Sequence, residues 1–161
     1  MGDIMLQQTR HSYTTDEFER LLSGVTLFNE IKKQDPSQYA LILDHVKIIE
    51  ASSSEIIIHK GDTDPYLYFL VRGQLAVLPE NDSSADQAFS MISPGEIFGT
   101  WALVLGKPRT ACIRTDQSVK STVLIRLDYA LLSDFENLTI FNLSTKISFF
   151  RMLANNIRWT L

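Results

Sequence analysis

From about residue 45 to residue 127 the chain breaks into short β-branched and aromatic runs, each closed by a turn signal. "EIIIHKGD" ends at Gly61 and Asp62, "PYLYFLVRGQLAVLPE" is interrupted near Arg72, Gly73 and Gln74, and "FSMI" is followed by the turn "SPGE". "RTACIRT" and "KSTVLIRLD" complete the set, and the polar stretch "NDSSADQ" reads as a loop. Tyr66, Tyr68 and Leu70, then Leu75 and Val77, supply alternating faces, the period of a strand. Many short strands with turns between them indicate a sandwich or a barrel.

Helical patterning flanks this segment. Thr14 or Thr15 can cap a first turn holding Asp16 and Glu17, which suits the helix dipole. Phe18, Leu21 and Leu22 then share one face, and Gly24 stops the helix. "DPSQYALILDH" starts a second helix with Asp35 as cap and Pro36 at the first position. At the other end Asp128 caps "YALLSDF", and a longer helix follows. There Leu143, Ile147, Phe150, Ala154, Ile157 and Leu161 recur four and three apart as one apolar stripe, widened by Phe149 and Leu153. The expected order is helices over about 14–44, a β-roll over about 45–127 and helices over about 128–161, in one domain spanning 1–161.

Composition bounds the chemistry. A chain of 161 residues buries roughly 70 % of its unfolded surface, enough for an ordinary core. Its net charge of −4 repels nucleic acid, and Lys32-Lys33 is too short to form a basic patch. The single cysteine, Cys112, allows no internal disulfide, fits a reducing compartment, and reads as a small core residue rather than a nucleophile. The N-terminus lacks the apolar region of a signal peptide, Leu6 breaks the myristoylation pattern, and no stretch approaches 18 apolar residues. The sequons at Asn81, Asn137 and Asn142 carry no meaning without secretion. His11, His45 and His59 have no ligand spacing, and "DTDP" at 62–65 lacks a calcium-loop pattern and reads as a solvated turn. These features point to a cytoplasmic protein with no enzymatic apparatus, no metal, no cofactor and no membrane insertion.

One stretch, "FGTWALVLGKPRTACI" at 98–113, reads as an anion-binding device. If Gly99 to Leu105 form one short helical turn, its first amides lack intrahelical partners and face outward. Gly99 permits close approach of the backbone. Pro108 fixes the chain before Arg109, whose planar fork fits two phosphate oxygens, and Thr110 adds a hydroxyl.

The same residues resemble the cyclic nucleotide-binding domain of catabolite-regulator-type proteins, cyclic-nucleotide-dependent kinases and gated channels. "PGEIFGTWALVLGKPRTACI" resembles the family's phosphate-binding cassette, "KGDTDPYLYFLVRGQLAVL" its Gly-Asp turn and Gly hairpin, and "LF" at 27–28 its entry loop. The resemblance covers about Leu27 to Trp159. It implies a mainly β fold, a double-stranded β-helix of the jelly-roll or cupin-like kind, with N-terminal helices and C-terminal lid helices. It implies that Gly99, Ala102 and Leu103 offer amides or packing to the cyclic phosphate and ribose, within a site bounded by Phe98, Trp101 and Ala111. Arg109 would pair with the phosphate and Thr110 contact phosphate or base. Phe150, Leu153 and Ile157 on the last helix would cap the base. The family's usual acidic residue after the cassette glycine, which accepts from the ribose 2′-hydroxyl, is Thr100 here, followed by Trp101. Losing a charged hydrogen bond of roughly 1.5–3 kcal/mol weakens binding about 10- to 150-fold.

The expected function is a sensor for cyclic AMP or cyclic GMP that signals to a protein partner, or to a second copy, through its last helix. Neither length nor charge favours a DNA-binding regulator. The alternative is an interaction module that keeps the roll but has lost the ligand, with the Trp101 indole in the ribose space.

Overall fold

The computed structural model describes residues 6–8 and 13–160, with side chains at 13–156. Three helices lead in: α1 (Thr15–Leu22), α2 (Thr26–Gln34) and α3 (Pro36–His45). The strands are β1 (Leu6–Gln8), β2 (Lys47–Ser52), β3 (Ile56–Ile58), β4 (Tyr66–Arg72), β5 (Leu75–Leu78), β6 (Ser90–Ile92), β7 (Ile97–Phe98), β8 (Cys112–Thr115) and β9 (Ser121–Asp128). Helix α4 (Thr100–Leu105) interrupts them, and α5 (Ala130–Ser133) and α6 (Leu143–Thr160) follow. A five-stranded sheet runs β1-β2-β9-β4-β7 and a four-stranded sheet β3-β8-β5-β6, all pairs antiparallel. The mainly β roll flanked by helices is the fold expected from the sequence.

Side chains of successive strand residues point to opposite faces, and that alternation divides the core in two. On β2, β4 and β9, residues Ile48, Leu67, Phe69, Ile125 and Leu127 join the helices in one cluster. Their neighbours Ile49, Tyr68, Leu70 and Leu124 join Ile58, Leu75, Phe98 and Ile113 between the two sheets. The five-stranded sheet is therefore covered on both faces, which is why β4 and β9 read as nearly continuous apolar runs.

Local signals set the helix starts. Thr14 and Glu17 form a reciprocal capping box at α1, and the Asp35 carboxylate accepts from Gln38 N ahead of Pro36 at α3. Three expectations are corrected. Leu27 and Phe28 lie within α2, buried against the sheet, rather than in an entry loop. The turn at Gly73 does not close a paired hairpin: β4 and β5 belong to different sheets. Gly73 has φ +98°, and a Cβ there would meet Thr122 Oγ1 at 2.5 Å, so this crossing requires glycine.

The third correction concerns α6. Leu143 and Ile147 of the expected apolar stripe are exposed, whereas Thr145, Lys146, Phe149 and Leu153 face inward. Lys146 is 1 % exposed, and its ammonium donates to the carbonyls of Asp134 and Asn137 in the α5–α6 connection. A lysine satisfied this way packs on a core face, a placement no hydropathy pattern reports. Asn142 caps α6 by accepting from Thr145 N, and its amide donates to Asp35, tying α6 to α3. His11 and Leu161, and the side chains of Ile157 and Trp159, lie outside the described residues.

Candidate functional site

The chain leaves β7 at Phe98 and turns at Gly99, whose φ of +76° is left-handed, to start α4. The left-handed conformation favours glycine, and a Cβ at Gly99 would meet Arg109 Nη1 at 2.7 Å and displace the guanidinium. The first amides of α4, at Thr100, Trp101 and Ala102, have no carbonyl one turn earlier to receive them. Thr100 and Ala102 are buried.

Arg109 returns to the same point from the other side. Its backbone is pinned to the β3–β4 turn: Arg109 N donates to Asp62 O and Gly61 N to Arg109 O, each at 2.8 Å. The side chain is 3 % exposed. Nε and Nη2 grip the Asp64 carboxylate as a fork at 3.1 and 2.7 Å, and Nη2 also reaches the Tyr66 carbonyl at 2.7 Å. Nη1 donates to the Gly99 carbonyl. A guanidinium has five N–H groups, and the second one on Nη1 has no acceptor among the described residues. The buried charge is thus neutralised on one edge and keeps a donor on the other.

Behind this pair, Tyr68 stacks on Phe98 with ring centroids 5.4 Å apart, and its hydroxyl lies 3.4 Å from Asp64. Burial, then the Asp64 charge, pushes the Tyr68 phenol well above its ordinary value. It therefore stays a neutral donor to that carboxylate at any physiological pH.

A cavity of about 540 Å³ opens over these groups, within the range of small-molecule sites. Phe98, Gly99, Thr100 and Trp101 line it, as do Ala102, Arg109, Thr110 and Ala111, all named from the sequence. Thr110 has an exposed side chain whose hydroxyl bonds nothing among the described residues. Leu103, Phe150 and Leu153 do not line the cavity. Leu103 packs against the helix-side core, Leu153 is buried in it, and Phe150 sits against Tyr129 and Phe135 at 6.2 and 5.1 Å. The helical register turns these large apolar groups toward the core, where burial stabilises them most.

Among the described side chains of α6, Asn156 reaches the cavity, with its amide oxygen 3.5 Å from Thr100 Oγ1. Nothing in the local sequence marks Asn156, and Asp64 is the counterion of Arg109 rather than part of the solvated turn expected at 62–65. An acid three residues after Gly61 was a visible signal, but its partner lies 45 residues away. Phe89, Met91 and Glu96 also border the cavity. Among the described residues no group of three metal-ligating side chains occurs, and no helix is long and apolar enough to cross a membrane.

With this geometry, comparisons with known proteins agree in kind. The sequence model described as "Cyclic nucleotide-binding domain" matches residues 48–135. The cAMP-dependent protein kinase regulatory subunit of Dictyostelium discoideum is 27 % identical over 114 residues, covering 69 % of this chain and 33 % of that protein. The cAMP-activated global transcriptional regulator CRP of Pasteurella multocida is 32 % identical over 73 residues, covering 45 % and 35 %. The chain thus spans about a third of the length of these relatives. A crystal structure of a cyclic nucleotide-binding domain from Methylobacillus flagellatus KT superposes with a TM-score of 0.70 at 17 % identity, covering 98 % of this chain and 82 % of that one.

Proposed function

This chain belongs to the cyclic nucleotide-binding domain family, and from that premise we propose that it is a cytoplasmic, non-enzymatic sensor that binds cyclic AMP or cyclic GMP at the Gly99–Arg109 cassette. The observation that carries the reading is Arg109: buried, oriented by Asp64, and offering an Nη1 donor next to the free amides of α4. A cyclic phosphodiester carries one negative charge and two exocyclic oxygens. The amides and the guanidinium edge match it at low solvent exposure, where each such bond is strong. Relatives named for cAMP support the same ligand class.

Asn156 touches the cassette through Thr100, so a ligand seated there changes the contacts of α6. That supports α6 as the output element, read by a protein partner or by a second copy. Such an output shifts a population only by the ligand's differential affinity for the two states.

The test is a thermal shift. Ligand at a hundredfold over its Kd stabilises by about 2.7 kcal/mol, a shift of roughly 5–10 °C for this size. We expect that shift with cyclic AMP or cyclic GMP, and none in Arg109→Ala. Thr100 and Trp101 favour a second reading, the interaction module without a ligand. A flat response of the unaltered protein to millimolar amounts of both nucleotides would establish it instead.

A further inference from the structure

Helix α6 carries two apolar faces, and the core uses one of them. Phe149 and Leu153 are buried there, with Thr145 and Lys146 on the same side. Leu143 and Ile147 stay 47 % and 43 % exposed, Ala154 is exposed and Phe150 is half-buried. These four recur four, three and four residues apart, and Ile157 and Leu161 extend the series by three and four. That is a heptad register, the narrow seam of a coiled coil rather than the wider stripe of a helix lying on a globular core. The α5–α6 connection broadens the seam on one side, where Phe135, 44 % exposed, packs on Phe150 at 5.1 Å. Lys146 holds the connection in that place through the Asp134 and Asn137 carbonyls. A contiguous apolar strip of this kind marks an interaction site.

We infer that this strip seats a second copy of the chain, whose α6 lies alongside in parallel about a two-fold axis, with the acidic α5–α6 connection of each copy set against Arg151 of the other. The inference names the reader of the α6 output, and in that respect rests on the sensor reading. A seam of this period packs against a helix of the same period, and α6 is itself one, 18 residues or about 27 Å long. Ile147 at one seam position and Leu143 at the other is the pattern of two-stranded coils. Charge sets the direction. Lys146 and Arg151 flank the seam on opposite sides, at heptad positions g and e when Ile147 is a. The Lys146 ammonium is spent on the connection, whose exposed charges are Asp134 and Glu136. The other flank carries the exposed Arg151. Neither Glu136 nor Arg151 makes an ion pair among the described residues. Parallel helices set position g of one against position e of the other, so the acidic flank meets Arg151 of the second copy, twice by symmetry. Antiparallel helices would set Arg151 against Arg151 and acid against acid, a like-charge arrangement that disfavours that pairing.

Sedimentation velocity on the nucleotide-free chain reads the pairing apart from the ligand. The unaltered protein should pass from monomer to dimer as its concentration rises through the micromolar range. Ile147→Glu should weaken the dimer more than about 100-fold, because each copy would bury an unpaired charge in the seam. Arg151→Glu should weaken it about tenfold and Glu136→Arg by a similar factor. The two charge changes together should recover the unaltered affinity within about threefold, since they only exchange the signs. Ile147, Arg151 and Glu136 are exposed, so the replacements leave the fold in place. A chain that stays monomeric throughout that range overturns the inference, whatever its thermal response to cyclic AMP. A dimer indifferent to Ile147→Glu overturns it as well, because the contact then lies elsewhere. A dimer weakened by each charge change and not recovered by the pair refutes the parallel arrangement. The cyclic AMP shift of Ile147→Glu should match that of the unaltered protein, so failure of the sensor reading shows in a different measurement.

Discussion

On the five-stranded sheet, Leu67, Phe69, Ile125 and Leu127 meet the helices, whereas Tyr68, Leu70 and Phe98 meet the second sheet. The helix side is filled: Phe28 packs on Phe69 at 5.0 Å and on Phe149 at 6.4 Å, and all three rings are fully buried. The roll side begins the same way, with Tyr68 on Phe98, and then gives way to a buried ion pair, a left-handed glycine and an open cavity. Side chains one residue apart thus serve different ends. Dense packing on one face lets the other tolerate groups that do not stabilise the fold, as sites with local strain require.

The largest expected effect breaks the helix face. Phe69→Ala should lose about 3–5 kcal/mol in urea unfolding, the cost of an aromatic-sized cavity. The stabilisation gained from cyclic AMP should survive in it. Loss of that ligand response at a temperature where the variant is folded would show that the two faces are coupled after all.

Arg109→Lys tests the roll face. It keeps the charge but not the fork, so the ligand-dependent gain of about 2.7 kcal/mol should vanish. Unfolding of the protein without nucleotide should change less than in Phe69→Ala. A retained thermal shift would mean that charge alone suffices.

A smaller effect lies at the join between the faces. Lys146→Met leaves the Asp134 and Asn137 carbonyls without their donor and should cost about 1–3 kcal/mol. Amide exchange should speed up across residues 134–142 before it does so in β4 or β9. Uniform acceleration would mean that α6 does not open separately.

The smallest effect is at Asp35, which caps α3 and holds Asn142. The Ser37 hydroxyl, then the Gln38 amide, hold its carboxyl below the usual 3.8. The charged form is therefore favoured in the folded state. Its stabilisation is fully present above the unfolded value and is lost as pH falls through the folded one. The stability gap between the unaltered protein and Asp35→Ala should be largest near neutrality and close in acid; a gap constant with pH would assign the effect to helix propensity.

How much of this was legible follows from the distance over which each signal acts. The strands at Ile56–Ile58, Tyr66–Arg72 and Ser121–Asp128 were readable because alternation and turn residues are local. So were the cap at Asp35, the choice of Thr14 or Thr15 for the first helix, and the glycine–arginine spacing of the cassette. The partner of Arg109 was not, because Asp64 meets it only when the β3–β4 turn folds against the approach to β8. The inward face of α6 was not either, since the carbonyls that satisfy Lys146 exist only once the α5–α6 connection is in place.

By itself the sequence determined a β-roll between helices and the glycine–arginine spacing of the cassette, because periodicity, turn chemistry and glycine placement are properties of neighbouring residues. Only the tertiary structure decided which edge of the Arg109 guanidinium stays available, which α6 residue reaches the cavity, and which rings border its mouth. Those outcomes depend on groups tens of residues apart meeting in a water-poor space, where a single carboxylate or a quarter-turn of helix register changes what the site presents.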